Sequence, residues 1–120
     1  MIDLSHKKLE VWKFSIELVK EIYLLTQSFP QNEIYGLTSQ IRRAAISIPS
    51  NISEGSSKST DRHFKKYLES SLGSAFEWET QLIIASKLEY INHEKFIELE
   101  NSIQKLQNMI HNFSTKLKTI

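Results

Sequence analysis

The stretch YGLTSQIRRAAISIPSNISEG, from Tyr35 to Gly55, decides the fold of this chain. Its apolar residues recur at steps of three and four, the spacing of one face of an α-helix. They are Leu37, Ile41, Ala44, Ala45, Ile48 and Ile52. Small residues such as Ser39, Ser47 and Ser50 lie around that face beside a few strongly polar ones, so other helices can approach it closely. The stretch therefore predicts a helix in a central position of an all-α bundle.

Pro49 lies inside this predicted helix and admits two interpretations. Proline removes one backbone hydrogen bond and clashes with the carbonyl group four residues earlier. Either one helix over 34–55 is kinked at Pro49, or a helix ends at Ile48 and a new one begins at the proline. Ile48 and Ile52 keep the same register across the proline, which favours one kinked helix that ends at Gly55.

Three further helices are predicted, over 6–28, 60–88 and 93–117, from apolar residues at helical spacing. Phe29-Pro30 ends the first of them, and Thr60 and Asn92 are expected N-caps of the last two. The short connections predict an antiparallel, up-down-up-down four-helix bundle in a single domain, 1–120. The residues expected to be largely buried are Trp12, Ile41, Ile48, Leu68, Leu72, Leu82, Leu99 and Leu106.

Two features of the helices suggest close contacts with other chain segments. Gly73 lies in mid-helix, where glycine costs ~1 kcal/mol relative to alanine, so we expect another backbone to pack against it. The first helix carries two apolar rows, more than one bundle needs. Its surplus residues are expected to meet another subunit of a homo-oligomer: Val11, Phe14, Leu24 and Leu25.

Composition limits the class of protein. Of the residues, 40% are hydrophobic and 24% charged, which is typical of a soluble globular domain. The net charge of +1 confines any nucleic-acid role to local patches. Without cysteine there is no disulfide or thiolate metal site. No apolar run reaches the ~20 residues of a membrane span, and MIDLSHKKLEVWK lacks the apolar core of a secretory signal, so we expect a cytoplasmic protein without membrane contact.

The sequence indicates neither catalysis nor a cofactor. The four histidines share no metal-ligand spacing, and neither a glycine-rich phosphate loop nor a nucleophile elbow occurs. Glu77 and Glu79 are two residues apart, so their side chains diverge around a helix and cannot act as an acid–base pair. We therefore expect a protein that is not an enzyme and has no metal, cofactor or small-molecule substrate.

Two groups of charged residues are the candidate sites. Arg42 and Arg43 are expected to pair with Glu77 or Glu79, within the bundle or across a subunit contact, because near-buried charges come paired. A phosphate contact is the alternative for the arginines.

The second group lies at the start of the third helix, where the helix dipole favours anions over cations. Its members are Lys58, Arg62, Lys65 and Lys66. A solvated charge cluster is the ordinary interpretation of such a group. The alternative is a site for RNA or DNA.

Several segments resemble a known family: LEVWK (9–13), QIRRAAISIPSNISEG (40–55) and EWETQL (77–82). They are similar to bacterial four-helix-bundle proteins first found as reading frames in intervening sequences of 23S ribosomal RNA genes. The accessory variability determinant of diversity-generating retroelements is a relative. Glu89 stands where the family usually has glycine, so we expect the third helix to end less sharply. His63 stands in place of a usual glutamate.

The resemblance implies a four-helix bundle that assembles into rings, as pentamers. We accordingly expect a non-enzymatic, oligomeric scaffold or adaptor. In the retroelement relatives the ring binds a reverse transcriptase and nucleic acid. The alternative is therefore an accessory protein that binds RNA or DNA through the start of the third helix, with a reverse transcriptase as its partner.

Overall fold

The computed structural model describes residues 9–117. Within this range the chain forms four α-helices and a short 3-10 turn, with no strand. The elements are α1 (Glu10–Thr26), the 3-10 turn (Gln31–Glu33), α2 (Leu37–Ser56), α3 (Asp61–Lys87) and α4 (His93–Lys116). The predicted all-α class with four helices is confirmed.

The predicted helix boundaries are close to the observed ones. Leu9 is the N-cap of α1, so this helix begins at Glu10, and the predicted positions 6–8 lie outside the described residues. The start of α2 is three residues later than predicted, because the chain first forms the 3-10 turn over 31–33.

Pro49 is buried inside α2, which runs without interruption from Leu37 to Ser56. The second interpretation, in which a new helix begins at the proline, is therefore wrong. Ile48 and Ile52 lie on either side of the proline and are both buried in the core, at 1% and 0% exposure. The helix stays continuous because burial of both side chains stabilises it across the proline.

The N-terminal ends of α3 and α4 have the expected caps, and the C-terminal end of α3 has a cap that was not expected. Thr60 Oγ1 accepts a hydrogen bond from the backbone N–H of His63 at 3.2 Å, and Asn92 Oδ1 caps α4 in the same way at 2.8 Å. At the end of α3, Tyr90 N–H donates to the Ala85 carbonyl at 2.9 Å.

Glu89 occupies the left-handed position of this C-terminal turn, with a φ of 64°. Its N–H donates to the Ser86 carbonyl at 3.0 Å, which completes a Schellman motif. The expectation of a less sharp helix end at Glu89 is therefore wrong. The backbone bonds of the motif form although the residue is not glycine.

The four helices pack into one compact core. α1 contacts α2 and α4, and α3 contacts the same two helices, so the described parts of α1 and α3 lie apart. Six of the residues predicted to be largely buried are at most 1% exposed: Ile41, Ile48, Leu68, Leu82, Leu99 and Leu106. Trp12 and Leu72 are half-buried at the edge of the core.

Of the residues assigned as surplus on the first helix, Leu24 is 59% exposed. Phe14 and Leu25 are half-buried against the core. Val11 is 4% exposed and belongs to the core, so its assignment as surplus is wrong. It lies four residues before Ser15 and seven before Leu18, on the face that α1 turns inward.

The two glycines within helices have opposite surroundings. Gly55 is buried where α2 meets α3, and a Cβ atom built there would lie 2.7 Å from Tyr67 Cβ. At Gly73 an added Cβ would have no described atom within 4 Å. The close backbone approach expected at Gly73 is therefore absent within the described chain, and the close contact between helices lies instead at Gly55, which meets the side chains of Phe64 and Tyr67.

Candidate interaction surfaces

A groove runs along the outer edge between α1 and α2. It consists of two depressions of about 600 and 490 Å³ that share Ile46 and Ser50. We call it the α1–α2 groove. Its apolar lining is Trp12, Ile16, Val19, Tyr23, Ile34, Ile46 and Pro49, and its cations are Lys20, Arg42 and Arg43.

Arg42 joins α2 to α1 at one end of this groove. Its Nε donates to Thr26 Oγ1 at 2.8 Å, and its Nη2 donates to the Tyr23 carbonyl at 3.4 Å. The guanidinium carbon lies 4.6 Å from the centre of the Tyr23 ring, within the range of a cation–π contact. Thr26 in turn donates to the Ile22 carbonyl at 2.8 Å. This cluster positions the Arg42 guanidinium between the two helices.

Sequence reasoning missed this cluster, although a signal existed. Thr26 and Arg42 are equally far along the chain from position 34, in the connection between the first two helices, and antiparallel helices bring such positions together. The rule that near-buried charges come paired instead directed Arg42 toward the glutamates of α3.

The expected pairing of the arginines with Glu77 or Glu79 does not occur within residues 9–117. Glu79 instead accepts hydrogen bonds from α4, from Gln107 Nε2 at 3.1 Å and Gln104 Nε2 at 3.4 Å. Arg43 and Glu77 are both exposed. The predicted pairing of the arginines with these glutamates within one chain is therefore wrong for the described residues, because Arg42 contacts α1 and Glu79 contacts α4. The form between subunits stays a prediction.

The basic cluster, which we define as Lys58, Arg62, Lys65 and Lys66, lies at the α2–α3 turn and the start of α3. Within the described range none of the four has a carboxylate within 4.0 Å. Lys58 Nζ lies 5.1 Å from the centre of the Tyr67 ring. Lys65 is half-buried and the other three are exposed. Positions 62, 65 and 66 share one side of the helix, so the fold brings these cations together.

The solvent side of α3 carries an apolar row that sequence reasoning did not single out. Phe76 is 53% exposed, Ile84 45% and Leu88 50%. These residues lie opposite the buried row that contains Leu82, and their spacing of eight and four residues was the available signal. We call Phe76, Glu77, Thr80, Ile84 and Leu88 the α3 outer face.

Tyr90 has the one resolved shift in acidity among the described residues. Its hydroxyl donates to Glu33 Oε2 at 2.9 Å, and this hydrogen bond raises the pKa of Tyr90 above its ordinary value of 10.0. Desolvation and the charge of Glu33 act in the same direction. The hydrogen bond joins the 3-10 turn to the C-terminal turn of α3.

Residues 9–117 contain no group of three or more histidine, aspartate or glutamate side chains that could hold a metal ion. Over the same range, none of the helices has the length and apolar character needed to cross a membrane.

Comparison with solved structures supports the fold. The chain is similar to the crystal structure of a protein of unknown function from the S23 ribosomal protein family of Bacteroides thetaiotaomicron, with a TM-score of 0.80. The two are 23% identical, and the alignment covers 88% of this chain and 96% of that chain. No curated protein matches the chain.

The family model described as 23S rRNA-intervening sequence protein matches residues 7–112. The match includes all of α1, α2 and α3 and most of α4, so it covers the helices that build the core. The resemblance noted in the segments around Arg42 and Trp78 is confirmed. This chain belongs to the family of 23S rRNA-intervening sequence proteins.

Proposed function

We propose that this protein is a non-enzymatic scaffold or adaptor that works as a homo-oligomer. Its resemblance to the family described above suggests a pentamer. The observation that carries the proposal is the amount of apolar surface left outside a complete core. Among residues 9–117, ten large apolar side chains are exposed, and six of them lie on α1, on α2 or between them. Exposed apolar patches of this kind mark interaction sites.

Sedimentation velocity and light scattering at tens of micromolar test the oligomer. We expect a species several times the mass of one chain. Replacing Leu24, which is 59% exposed, by serine should lower the mass of the species without loss of helicity. A wild-type protein that sediments as a monomer would overturn the proposal.

For the architecture of each subunit we propose an up-down-up-down bundle in one domain, 1–120, with α2 kinked at Pro49. Pro49 has no N–H to donate to the Ala45 carbonyl, which supports a kink. Pairs of contacts that run in opposite directions along neighbouring helices support the topology: Glu21–Lys95 with Phe14–Lys105, and Ile48–Ser71 with Gly55–Phe64. The cytoplasm is the proposed location.

A second candidate function is nucleic-acid binding through the basic cluster, and one observation favours it. The cluster has no acidic partner among the described residues, at a helix start where the dipole disfavours cations. In a ring the cluster would be repeated once per subunit, so that weak contacts add up through multivalency.

The test is binding to structured RNA and duplex DNA at low salt. Binding should fall steeply with salt, because counterion release dominates such contacts. The triple variant Arg62→Gln, Lys65→Gln, Lys66→Gln should abolish it. The variant Lys13→Gln, Lys87→Gln, Lys116→Gln removes the same charge from other exposed positions and should bind as wild type. Equal loss in both variants would reduce the cluster to a solvated surface.

A further inference from the structure

We propose that the α1–α2 groove of one subunit receives the α3 outer face of a second copy, with Arg43 of the groove facing Glu77 of the incoming helix. The inference rests on the proposed homo-oligomer and names the two surfaces that would build it. The contact is heterologous, since the two surfaces are different parts of the same chain.

The first support is the distribution of apolar side chains. Of the ten large exposed ones in the described part of the chain, six lie along α1, α2 and the segment between them, three on the α3 outer face and one on α4. The groove is concave around Ile46, whereas Phe76 projects from α3 with half of its surface exposed. A projecting ring and a concave apolar site of the same chain can bury each other, and each subunit offers one of each.

The second support is the charge. The groove carries Lys20, Arg42 and Arg43, and none of them forms an ion pair with a described residue. Glu77 lies beside Phe76 and is likewise exposed without such a pair. With Phe76 beside Ile46, the neighbouring Glu77 would be within reach of Arg43, which lies three residues before Ile46 on α2. The charges of the two surfaces are therefore complementary.

The third support is the length of the two surfaces. Along α1 the groove extends from Trp12 to Tyr23, about 16 Å at a rise of 1.5 Å per residue. From Phe76 to Leu88 the α3 outer face extends about 18 Å by the same measure. Ile84, two turns beyond Phe76, can therefore reach the Ile16 end of the groove while Phe76 stays beside Ile46.

A head-to-tail contact makes a specific prediction for mixed variants. Ile46→Asp blocks the groove and Phe76→Asp blocks the α3 outer face, and both positions are exposed, at 41% and 53%. Each variant alone should be monomeric by sedimentation velocity, with wild-type helicity. Mixed in equal amounts, they should form a dimer of twice the mass of one chain, because one intact groove meets one intact α3 face and both ends are then blocked.

Charge reversal tests the Arg43–Glu77 contact itself. Arg43→Glu and Glu77→Arg should each weaken assembly about tenfold or more, and the double variant should recover most of that loss. The control variants Lys116→Glu and Glu94→Arg make the same charge changes at exposed positions of α4 and should assemble as wild type.

The outcomes separate this inference from the proposed function. If wild type assembles while Ile46→Asp and Phe76→Asp both assemble normally, the oligomer stands and the two surfaces are wrong. If the mixture of the two variants stays monomeric, the contact is not head-to-tail. A double charge reversal no better than the single ones would overturn the Arg43–Glu77 pairing. A monomeric wild type would overturn both proposals.

Discussion

The hydroxyl group of Ser71 on α3 donates a hydrogen bond of 3.0 Å to the carbonyl group of Ile48 on α2. Both residues are buried, and Pro49 follows Ile48 directly. The bond therefore joins the two helices beside the position where α2 lacks a backbone donor. A serine in this apolar row satisfies its own polar group and adds a specific contact between neighbouring helices.

Ser71→Ala should lower the free energy of unfolding by about 1 kcal/mol, since it removes a buried hydrogen bond while leaving the helix intact. Urea denaturation followed by circular dichroism measures the change. Ser70→Ala is the matched control, because Ser70 is exposed and its hydroxyl makes only a 3.4 Å bond within its own helix. Equal effects at the two positions would contradict a role for the Ile48 contact.

The same substitution should have opposite effects at two glycines. At Gly55 an added Cβ would lie 2.7 Å from Tyr67 Cβ, so Gly55→Ala must move α2 away from α3 and should cost about 1–3 kcal/mol. At Gly73 no described atom lies within 4 Å, so Gly73→Ala should stabilise α3 by about 0.5–1 kcal/mol. Thermal unfolding of both variants is the measurement. A loss of stability at Gly73 would show that something outside the described chain packs there.

Glu89→Gly should stabilise the protein by about 1 kcal/mol, because Glu89 adopts a φ of 64° that costs an L-residue energy and costs glycine little. Chemical denaturation measures the gain. Lys87→Gly, two residues earlier at the last helical position of α3, is the control and should destabilise by up to about 1 kcal/mol. If Glu89→Gly is destabilising as well, the turn does not carry the strain inferred from its φ.

The Tyr90–Glu33 hydrogen bond should make stability depend on alkaline pH. The pKa of Tyr90 is raised in the folded protein, so the contact contributes fully below the ordinary pKa of 10.0 and is lost as pH rises through the folded value. The free energy of unfolding should therefore fall above about pH 10, and fall less in Tyr90→Phe.

Urea denaturation at pH 8 and at pH 10.5–11 compares the two proteins. Tyr35→Phe is the control, since Tyr35 is 95% exposed, and it should keep the wild-type pH dependence. Identical pH dependence in wild type and Tyr90→Phe would show that this hydrogen bond does not couple ionisation to folding.

Two buried glutamines should respond differently to the same change. Gln81 Oε1 is buried without a partner among the described residues, so Gln81→Leu should be neutral or stabilise by up to about 1 kcal/mol. Gln107 Nε2 donates to Glu79 at 3.1 Å and is also near the Ala75 carbonyl, so Gln107→Leu should cost about 1–2 kcal/mol. Denaturation curves of the two variants measure the difference in stability. A loss of stability at Gln81 as large as at Gln107 would mean that the side-chain carbonyl group of Gln81 accepts a hydrogen bond after all.

The sequence by itself determined the elements of this fold. Helix spacing placed the buried rows around Ile41 and Leu82, and Thr60 and Asn92 marked the starts of α3 and α4. These features depend on residues three or four positions apart, whose geometry is set within one helix. The 3-10 turn before α2 and the Schellman motif at Glu89 were not predicted. Both depend on backbone hydrogen bonds at the ends of helices, which side-chain spacing does not indicate.

Tertiary structure alone decided the partners of the polar residues. Arg42 lies at the edge of α2, and the rotation of that helix in the bundle determines whether its guanidinium meets Thr26 on α1 or a glutamate on α3. A side chain turns by 100° per residue around a helix, so a small change in rotation exchanges one neighbour for another. Packing of the apolar faces sets that rotation. The same packing closes α2 against α3 at Gly55 and leaves Gly73 and Phe76 on the outside.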